Sequence, residues 1–447
     1  MSDIGIVGGG YLGLTLALRL SQAGHRVTVL EAAPDPGGLA AANPIGSYTW
    51  DRFYHVILRS DLQLRKLLNE VGVGHLLRWQ RTHTGFLVAG RLHSLSSTLD
   101  FLRFPPLSLW AKARLALTIL RAAYLKDSSS LEPVNAVAWL TRWSGRKTVD
   151  RLWIPLLKSK LGSNYDRVSA AFIWAIIARM YAARRSGLKH EMFGYVEGGY
   201  ARVLPALLAR LEALGVTVRT GCAVSRVEDL GAGVRCHLQG GELVDLDHMV
   251  LTVPCGRIAA ICPELTDGER TRLDQVVYQG VTCASVLLRK PLARYYVTNI
   301  TDSWVPFTAV IEMTALVDPA QFGGNALVYL PRYATRDDPV WTRSDDELRE
   351  EFLSALERIY PAFRRADVLT FQVARAREVQ ALATLEYSRL LLPPLRTSLP
   401  NVSIVNSAQI RNGTLNLNET VGLAERQARR LLKALGAGRL DLEVLAA

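Results

Sequence analysis

The sequence is poor in cysteine and has no closely spaced cysteine pair. Its five cysteines, Cys222, Cys236, Cys255, Cys262 and Cys283, are scattered without a C-x-x-C motif. An odd, dispersed set argues against a disulfide framework and favours buried thiols in a reducing compartment. Zinc-ligand spacing and a G-x-S-x-G motif are also missing, and the eight histidines are scattered. We therefore expect no metal site and no Ser-His-Asp nucleophile.

Long hydrophobic runs are absent as well. The longest uncharged apolar-rich run, Val168–Ala178, is shorter than the roughly 20 residues that a membrane-spanning helix needs. The first apolar strand starts at Ile4, which leaves no room for a signal peptide. These absences predict a cytoplasmic protein, with any membrane association limited to peripheral contact.

Acidic residues are the minority charge. The 447 residues contain 53 Lys and Arg against 41 Asp and Glu, a net charge of +12. Such a field attracts nucleic acid, anionic lipid or phosphorylated substrates. No basic block or RNP-like aromatic motif accompanies it, so we expect no nucleic-acid partner. The length predicts two or three domains.

The most informative stretch is the N-terminal one. An apolar run from Ile4 leads into Gly8, Gly10 and Gly13 in G-x-G-x-x-G spacing, and a second apolar run ends at Glu31. The glycines allow a tight turn, close approach of a diphosphate to the backbone, and close packing of the helix on the sheet. The partial positive charge of the helix start favours phosphates there. Glu31 is placed to accept hydrogen bonds from both ribose hydroxyls of an adenosine, and the stretch therefore predicts a dinucleotide site.

A second glycine pair, Gly37-Gly38, follows the ribose acid where a simple NAD domain would continue into a helix. In this the chain resembles the FAD-dependent superfamily of amine oxidases, protoporphyrinogen oxidases and carotenoid desaturases, which carry E-a-x-x-x-x-G-G-R here. Leu39 stands where that superfamily usually has arginine. The resemblance implies FAD as cofactor and an α/β fold: a discontinuous Rossmann-like FAD-binding domain, an inserted helical cap and a mixed-sheet substrate domain.

The segment Gly46–Asp61 alternates aromatic and apolar residues as a cavity strand does, and Asp61 is predicted to cap a helix Leu62–Val71. In the resembled superfamily this segment runs beneath the flavin ring with a D-x-G-x-h pattern. Asp51 and His55 match its ends, while Phe53 and Tyr54 replace Gly and Pro. His55 is either a satisfied structural histidine or a contact to flavin or substrate. His55 and Tyr54 are the catalytic candidates by position, and His55 is also similar to the strand histidine of UDP-galactopyranose mutases.

The resemblance extends to the later parts of the FAD domain. Val224 matches the place where relatives hold adenine through backbone groups, and Thr252 ends the returning strand. Asn406 and Ser407 occupy the Gly and Asp positions of the final FAD motif, before a C-terminal helix. The full set of predicted cofactor contacts is Gly8, Gly10, Tyr11, Leu12, Gly13, Glu31, Ala32, Gly37, Gly38, Leu39, Phe53, Tyr54, His55, Val224, Thr252, Asn406, Ser407, Thr420 and Val421.

The domain organisation follows from these matches. We predict an FAD-binding domain from residues 1–95, 190–275 and 396–447, a helical cap over 96–189 and a substrate domain with a mixed sheet over 276–395. Residues 83–95 read as a hairpin around Ala89-Gly90.

An amphipathic helix is predicted over Phe101–Lys126. Leu109, Ala113, Ala116 and Leu120 keep one face apolar, whereas its Lys and Arg residues point elsewhere. We expect this face to pack in the core. A basic helix with aromatic flanks also suits a membrane surface, and several members of the resembled superfamily use helices in this region to reach lipophilic substrates.

Three functions remain open. The first is an FAD-dependent oxidoreductase that transfers a hydride from an organic, lipophilic substrate to flavin N5. The second is a redox-neutral flavin-dependent mutase or isomerase acting on a nucleotide- or lipid-linked sugar, in which Arg59 and Arg411 contact a phosphate. The third is a non-enzymatic flavoprotein, suggested by the departures at Leu39 and Ser407. The partner is a small-molecule substrate, and the sequence does not define the oligomeric state.

Overall fold

A computed structural model describes residues 1–184, 191–411 and 415–436, and for 182–184 only the helical backbone. The strands are β1 Asp3–Val7, β2 Arg26–Leu30, β3 Ala42–Ile45, β4 Tyr48–Asp51, β5 Leu77–Arg81, β6 Thr84–Val88, β7 Arg91–Ser94, β8 Met192–Val196, β9 Thr217–Arg219, β10 Val224–Asp229, β11 Val234–Leu238, β12 Leu243–Leu246, β13 His248–Leu251, β14 Tyr278–Leu288, β15 Val297–Ile300, β16 Ala309–Glu312, β17 Ala326–Ala334, β18 Val368–Ala381 and β19 Val402–Ile404. The helices are α1 Tyr11–Gln22, α2 Leu62–Glu70, α3 Thr98–Arg103, α4 Leu109–Tyr124, α5 Ala136–Ser144, α6 Arg146–Thr148, α7 Ile154–Leu161, α8 Ala170–Arg184, α9 Tyr200–Ala213, α10 Cys255–Ile261, α11 Asp267–Asp274, α12 Asp345–Ile359, α13 Tyr387–Leu390 and α14 Leu417–Ala434.

A five-stranded parallel sheet carries the N-terminal motif. Its strand order is β19-β13-β1-β2-β9, so strands from the start, middle and end of the chain lie side by side. Alternate residues of β1 enter two cores: Ile4 and Ile6 pack with α1, α9 and α14, whereas Val7 packs with β10–β12 and α10. Burial of both faces explains why these strands are nearly continuous apolar runs. The predicted fold class, with a discontinuous Rossmann-like domain, is confirmed.

The second large sheet is mixed and has seven strands, in the order β18-β14-β17-β16-β15-β6-β7. The predicted hairpin around Ala89-Gly90 is present as β6 and β7, but β6 pairs with β15 in this sheet. Within the predicted FAD-binding stretch 1–95, β6 and β7 thus join the sheet whose other strands lie in the predicted substrate domain. Local alternation predicts a strand but does not specify its partner, which here lies more than 200 residues away. The domain boundaries stay predictions, and residues 190, 412–414 and 437–447 of the predicted FAD-binding domain lie outside the described residues.

The helical insert packs α4 against α5 and α8 around a core that includes Trp139 and Phe172. The single helix predicted over Phe101–Lys126 is broken at Pro105-Pro106 into α3 and α4, because proline ends the first helix and cannot continue it. The prediction that its apolar face packs in the core was wrong. Leu109, Ala113 and Leu120 are exposed, whereas Lys112, Leu115, Thr118 and Ala122 are buried.

The start of α2 also differs from the prediction. The Asp61 carboxylate does not cap α2; it accepts a hydrogen bond from the Leu58 N–H and forms a bidentate ion pair with Arg179 of α8 at 2.8 and 2.9 Å. Asn418 supplies the cap from the C-terminal helix instead, since its Oδ1 accepts hydrogen bonds from the N–H groups of Gln63 and Leu64. These contacts hold the start of α2 between α8 of the helical insert and α14.

One buried carboxyl group of the mixed sheet gives a stability prediction. Glu312 is buried at the end of β16 and accepts a hydrogen bond from the Ala293 N–H at 2.8 Å. Its pKa is raised from the usual 4.5 to about 7, because the effect of burial exceeds that of the backbone hydrogen bonds, which lower the pKa. Because the folded-state pKa is the higher one, the stability that this group contributes is complete below pH 4.5 and is lost as the pH rises through 7.

Glu312→Gln should therefore raise the free energy of unfolding by about 2–3 kcal/mol at pH 8 and leave it nearly unchanged at pH 4.5. Urea unfolding of both proteins at the two pH values measures this difference. The exposed Glu212 gives a control, because Glu212→Gln should change the free energy of unfolding by less than about 0.5 kcal/mol at either pH. Equal stability of wild type and Glu312→Gln at pH 8 would contradict the prediction.

Candidate functional site

The turn from β1 to α1 has the geometry that its glycines predict. Gly8 has φ of 112°, in the region that favours glycine, and a Cβ there would lie 2.5 Å from Thr252 Oγ1. A Cβ on Gly13 would lie 2.0 Å from the Gly8 carbonyl oxygen, so only glycine lets α1 pack this closely on the turn. A Cβ on Gly10 would have only the Gly38 Cα nearby, at 4.0 Å. The space in front of the helix start is therefore open to a ligand.

Glu31 stands beside this turn at the end of β2. Its Oε2 accepts a hydrogen bond from the Gly9 N–H at 2.6 Å, and its Oε1 accepts one from the Ala33 N–H at 2.8 Å. The two bonds fix the carboxylate against the glycine turn. A carboxylate has about four acceptor positions, which leaves lone pairs for two further hydroxyl donors.

The second glycine pair, Gly37-Gly38, packs against the glycine turn between β1 and α1. The Gly37 N–H donates to the Gly9 carbonyl at 2.8 Å, and Gly37 and Gly38 have φ of 112° and 58°. Leu39 packs at the edge of an aromatic cluster around Trp50 and Phe322. At this position the side chain contributes apolar contact to the core rather than a guanidinium.

Several predicted cofactor residues use their side chains to brace the site. Thr252 Oγ1 donates to the Val7 carbonyl at 2.8 Å, which fixes the Gly8 turn. The Val224 carbonyl accepts a hydrogen bond from Arg257. The fully buried Asn406 donates to the Val253 carbonyl and to Cys255 Sγ, and accepts from the Ala408 N–H. The Thr252 and Asn406 side chains tie the strand ends of the parallel sheet to one another.

Thr420 and Val421, at the start of α14, and Ser407, after β19, differ in what their side chains contact. Thr420 Oγ1 donates to the Asn416 carbonyl within the first turn, and Val421 is buried in the core shared with α1. Ser407 is partly exposed and stands just after β19. Of these three predicted contacts, Ser407 has the side chain that is open to a ligand.

The segment after the second glycine pair brings Asp51 and His55 together. Asp51 is buried, and its Oδ1 accepts a hydrogen bond from the Tyr200 N–H at the start of α9 at 2.7 Å. His55 Nδ1 lies 3.7 Å from Asp51 Oδ2, and the imidazole contacts the Tyr200 ring edge-on. The sequence motif marks Asp51, but its contact with Tyr200, 149 residues later, joins elements that local patterns do not connect.

Four buried polar atoms in this region have no hydrogen-bond partner within the described part of the chain. They are Tyr11 Oη, Trp50 Nε1, His55 Nδ1 and Tyr200 Oη. Buried polar atoms are rarely left unpaired, so their clustering indicates a place for a ligand or water. A cavity of about 10 Å³ lies between Trp50, Asp51, His55 and Tyr200, room for one water molecule.

Phe53 and Tyr54, the two residues that replace the Gly-Pro of the motif, are directed into the mixed sheet. Phe53 is buried in the aromatic cluster. The Tyr54 hydroxyl lies 2.9 Å from the Tyr333 hydroxyl of β17. Burial raises the pKa of Tyr54 well above its usual 10, so the hydroxyl stays protonated at neutral pH.

A larger cavity, of about 860 Å³, lies between α8, α14 and the loops before them. Arg411, Arg426 and Arg430 line it, together with the Asp61–Arg179 ion pair. Arg59 is not among the lining residues; its guanidinium lies over the Trp79 ring, 5.5 Å from the centroid. The two arginines predicted to bind substrate are thus in different surroundings.

Comparison with known proteins identifies the family. The family described as flavin containing amine oxidoreductases matches residues 13–432. The chain belongs to this family. Its cofactor is FAD, as the resemblance implied, and the open space beside Gly10 and the oriented Glu31 carboxylate fit that cofactor. The predicted oxidoreductase class of this enzyme is likewise confirmed.

Individual relatives are distant. The 15-cis-phytoene desaturase of Glycine max is 22% identical over 390 residues, which covers 82% of this chain and 67% of the plant protein. A structure from Exiguobacterium sp. 255-15, provisionally named a protoporphyrinogen oxidase, superposes with a TM-score of 0.76 at 19% identity and covers 97% of this chain and 99% of that one. Reduced UDP-galactopyranose mutase gives a TM-score of 0.73 at 16% identity, over 98% and 94% of the two chains. These two structural likenesses show the fold.

Loss of the Glu31 carboxylate should weaken FAD binding. Glu31→Ala removes the acceptors for the ribose hydroxyls, and we expect the dissociation constant for FAD to rise at least about tenfold. Titration of apoprotein with FAD, followed by flavin fluorescence, measures this change. Glu242→Ala is the control, since it removes a carboxylate paired with Arg219 on the neighbouring strand β9 without touching the turn. Unchanged FAD affinity in Glu31→Ala would remove Glu31 from the site.

Proposed function

We propose that this protein oxidises an organic, lipophilic small molecule. The N–H groups at the start of α1, from Gly10 to Leu12, hold the diphosphate of FAD, and Glu31 accepts hydrogen bonds from the adenosine ribose. Backbone groups at Val224 would contact the adenine. Bound FAD supplies a hydride acceptor at flavin N5.

The observation that carries the substrate class is the aromatic lining around segment 50–57. The rings of Trp50, Tyr54, Tyr195 and Tyr329 pack in one aromatic cluster; Trp50 and Tyr54 belong to this segment, Tyr195 to β8 and Tyr329 to the mixed sheet. This packed cluster forms an apolar wall behind the segment rather than an open cavity, and an apolar wall favours an apolar substrate beside it. The similarity to plant phytoene desaturases supports the same class, since phytoene is a hydrocarbon.

The polar groups in this wall have distinct roles in the proposal. The protonated Tyr54 hydroxyl donates or accepts within its pair with Tyr333 and orients the substrate rather than removing a proton. His55 is the candidate acid or base, because imidazole is the side chain that exchanges protons near neutral pH. Asp51 Oδ2 lies 3.7 Å from its Nδ1, too far for a hydrogen bond, and the Tyr200 ring contacts the imidazole edge-on.

Anaerobic reduction tests this function. A substrate that is dehydrogenated should bleach the flavin absorbance without any added reductant, and we would mix the oxidised holoenzyme with a polyene and with a neutral amine in a stopped-flow instrument. His55→Gln should slow the bleaching at least about tenfold and leave the bound FAD in place. The exposed His75 provides the control variant His75→Gln, with a rate equal to that of the wild type.

The proposal fails if no organic substrate bleaches the flavin and turnover of a sugar nucleotide requires the flavin to be reduced first. An equal bleaching rate in His55→Gln and wild type would return His55 to a structural role while leaving the oxidation itself intact.

A redox-neutral mutase acting on a phosphorylated sugar is the second candidate. The 860 Å³ cavity favours it, because Arg411, Arg426 and Arg430 line one volume large enough for a substrate-sized ligand. Guanidinium groups bind phosphate through paired N–H donors. The likeness in fold to UDP-galactopyranose mutase supports this candidate.

Phosphate binding separates the two candidates. If the mutase proposal holds, Arg411→Ala should weaken binding of UDP or polyprenyl phosphate by at least about tenfold in calorimetry, because one charge-assisted contact is lost. Arg59→Ala is the matched variant; Arg59 lies over Trp79 outside this cavity, so any loss there would mark a separate phosphate contact. If neither variant weakens a phosphorylated ligand while an uncharged ligand bleaches the flavin, the mutase candidate is excluded.

A further inference from the structure

The outer surface formed by α3 and α4 is unusually apolar. Seven large apolar side chains project from this short part of the chain; we call them the outer stripe, and they are Leu99 (52% exposed), Leu102 (51%), Leu109 (73%), Trp110 (74%), Leu117 (53%), Leu120 (42%) and Tyr124 (62%). Scattered exposed leucines are ordinary, but a contiguous group of this kind marks an interaction surface.

The orientation of α4 makes the stripe distinctive. Leu109, Leu117, Leu120 and Tyr124 follow helical spacing along one side. The side that faces the protein buries a lysine, a threonine and two apolar residues: Lys112, Thr118, Leu115 and Ala122. In a helix whose outer face meets only water, the lysine would point outward and the leucines inward.

Specific contacts hold this orientation. Lys112 Nζ donates to the Leu102 carbonyl at 2.6 Å, which joins α4 to the end of α3. The Thr118 hydroxyl lies 3.0 Å from the Ser144 hydroxyl of α5. Trp174 of α8 donates its indole N–H to the Ala122 carbonyl. The polar groups of the inner face are therefore satisfied, and a rotation that buried the leucines would leave them unpaired.

Basic residues surround the outer stripe. Between residues 98 and 151 the chain has nine Lys and Arg against four Asp and Glu. Arg103, Arg121 and Lys126 are exposed on or beside the two helices, and Arg121 also lies over the Trp143 ring. An apolar stripe with aromatic side chains and a basic margin matches the interface of an anionic lipid bilayer, with apolar groups at the acyl boundary and cations at the headgroups.

We propose that the outer stripe docks the protein on the surface of an anionic membrane. The sixteen residues of α4 span about 24 Å and lie in the plane of the interface. Within the described ranges no helix is long and apolar enough to cross a bilayer, so this contact is interfacial. The proposal is independent of which substrate the flavin site takes.

Flotation with lipid vesicles tests the proposal on the FAD-loaded protein. Wild type should float with vesicles of phosphatidylcholine containing phosphatidylglycerol at low salt. Flotation should fall with vesicles of phosphatidylcholine alone, and also with added salt, because charges are screened within about 10 Å at 0.1 M ionic strength. Replacing Arg103 and Lys126 with Gln should weaken binding and reduce its dependence on salt.

The apolar contribution needs its own variant. The triple change Leu109→Ser, Trp110→Ser and Leu117→Ser should lower the vesicle partition coefficient at least about tenfold, since three inserted side chains are lost. The matched control changes Leu243, Leu369 and Leu390, three exposed leucines elsewhere, to Ser. Both variants should keep their FAD and their unfolding temperature, because all six positions are exposed.

Three results would overturn the proposal. The first is that wild type fails to float with anionic vesicles at low salt. The second is that the outer-stripe variant floats as well as the control variant. The third is a concentration-dependent dimer, seen by analytical ultracentrifugation, that the outer-stripe variant abolishes while wild type shows no vesicle binding; the stripe would then be an interface between two copies.

Discussion

The buried Asp51 carboxylate is the contact on which the arrangement of the two sheet systems depends. Its side chain accepts the first N–H of α9 in the parallel-sheet domain, and its backbone carbonyl accepts the hydroxyl hydrogen of Tyr329 in the mixed sheet. A negative charge at a helix start is favourable, and the hydrogen bond offsets part of the cost of burying it. A Cβ at Gly199 would lie 2.9 Å from the carboxylate, so the glycine before α9 is needed for this approach.

The position of residues 50–57 follows from that contact. With Asp51 fixed at its end, β4 continues into Phe53, Tyr54 and His55, whose side chains then pack against the mixed sheet and α9. The same α9 packs on α1, which begins at the phosphate turn. The distance between the glycine turn before α1 and His55 is thus set by packed helices and the buried Asp51 carboxylate, not by a flexible loop. This is the preorganisation that a cofactor enzyme requires.

The N-terminal site could be predicted from sequence because its determinants are local. The turn at Gly8 and Gly10 and the acid at Glu31 lie within 25 residues, and each glycine has a steric reason that spacing alone reveals. The failures concern long-range partners. The Asp61 carboxylate pairs with Arg179, 118 residues later, and does not cap its helix. The outward face of α4 likewise depends on its neighbours, since periodicity shows that a helix has two faces but not which one the protein covers.

The departures from the superfamily pattern are best explained by packing. Leu39 and Phe53 both enter the aromatic cluster of the mixed sheet, and the Tyr54 hydroxyl pairs with Tyr333 there. Asn406 replaces a glycine, yet its amide N–H groups tie the end of β19 to the segment after β13 through two hydrogen bonds, to the Val253 carbonyl and to Cys255 Sγ. These side chains fill space on the protein side of the site and leave the glycine turns and the Glu31 carboxylate unchanged. The N-terminal motif and the departures from the pattern are therefore structurally separate in this chain: the motif depends on backbone geometry at its glycines, and the departures lie in aromatic packing where the motif has Gly and Pro.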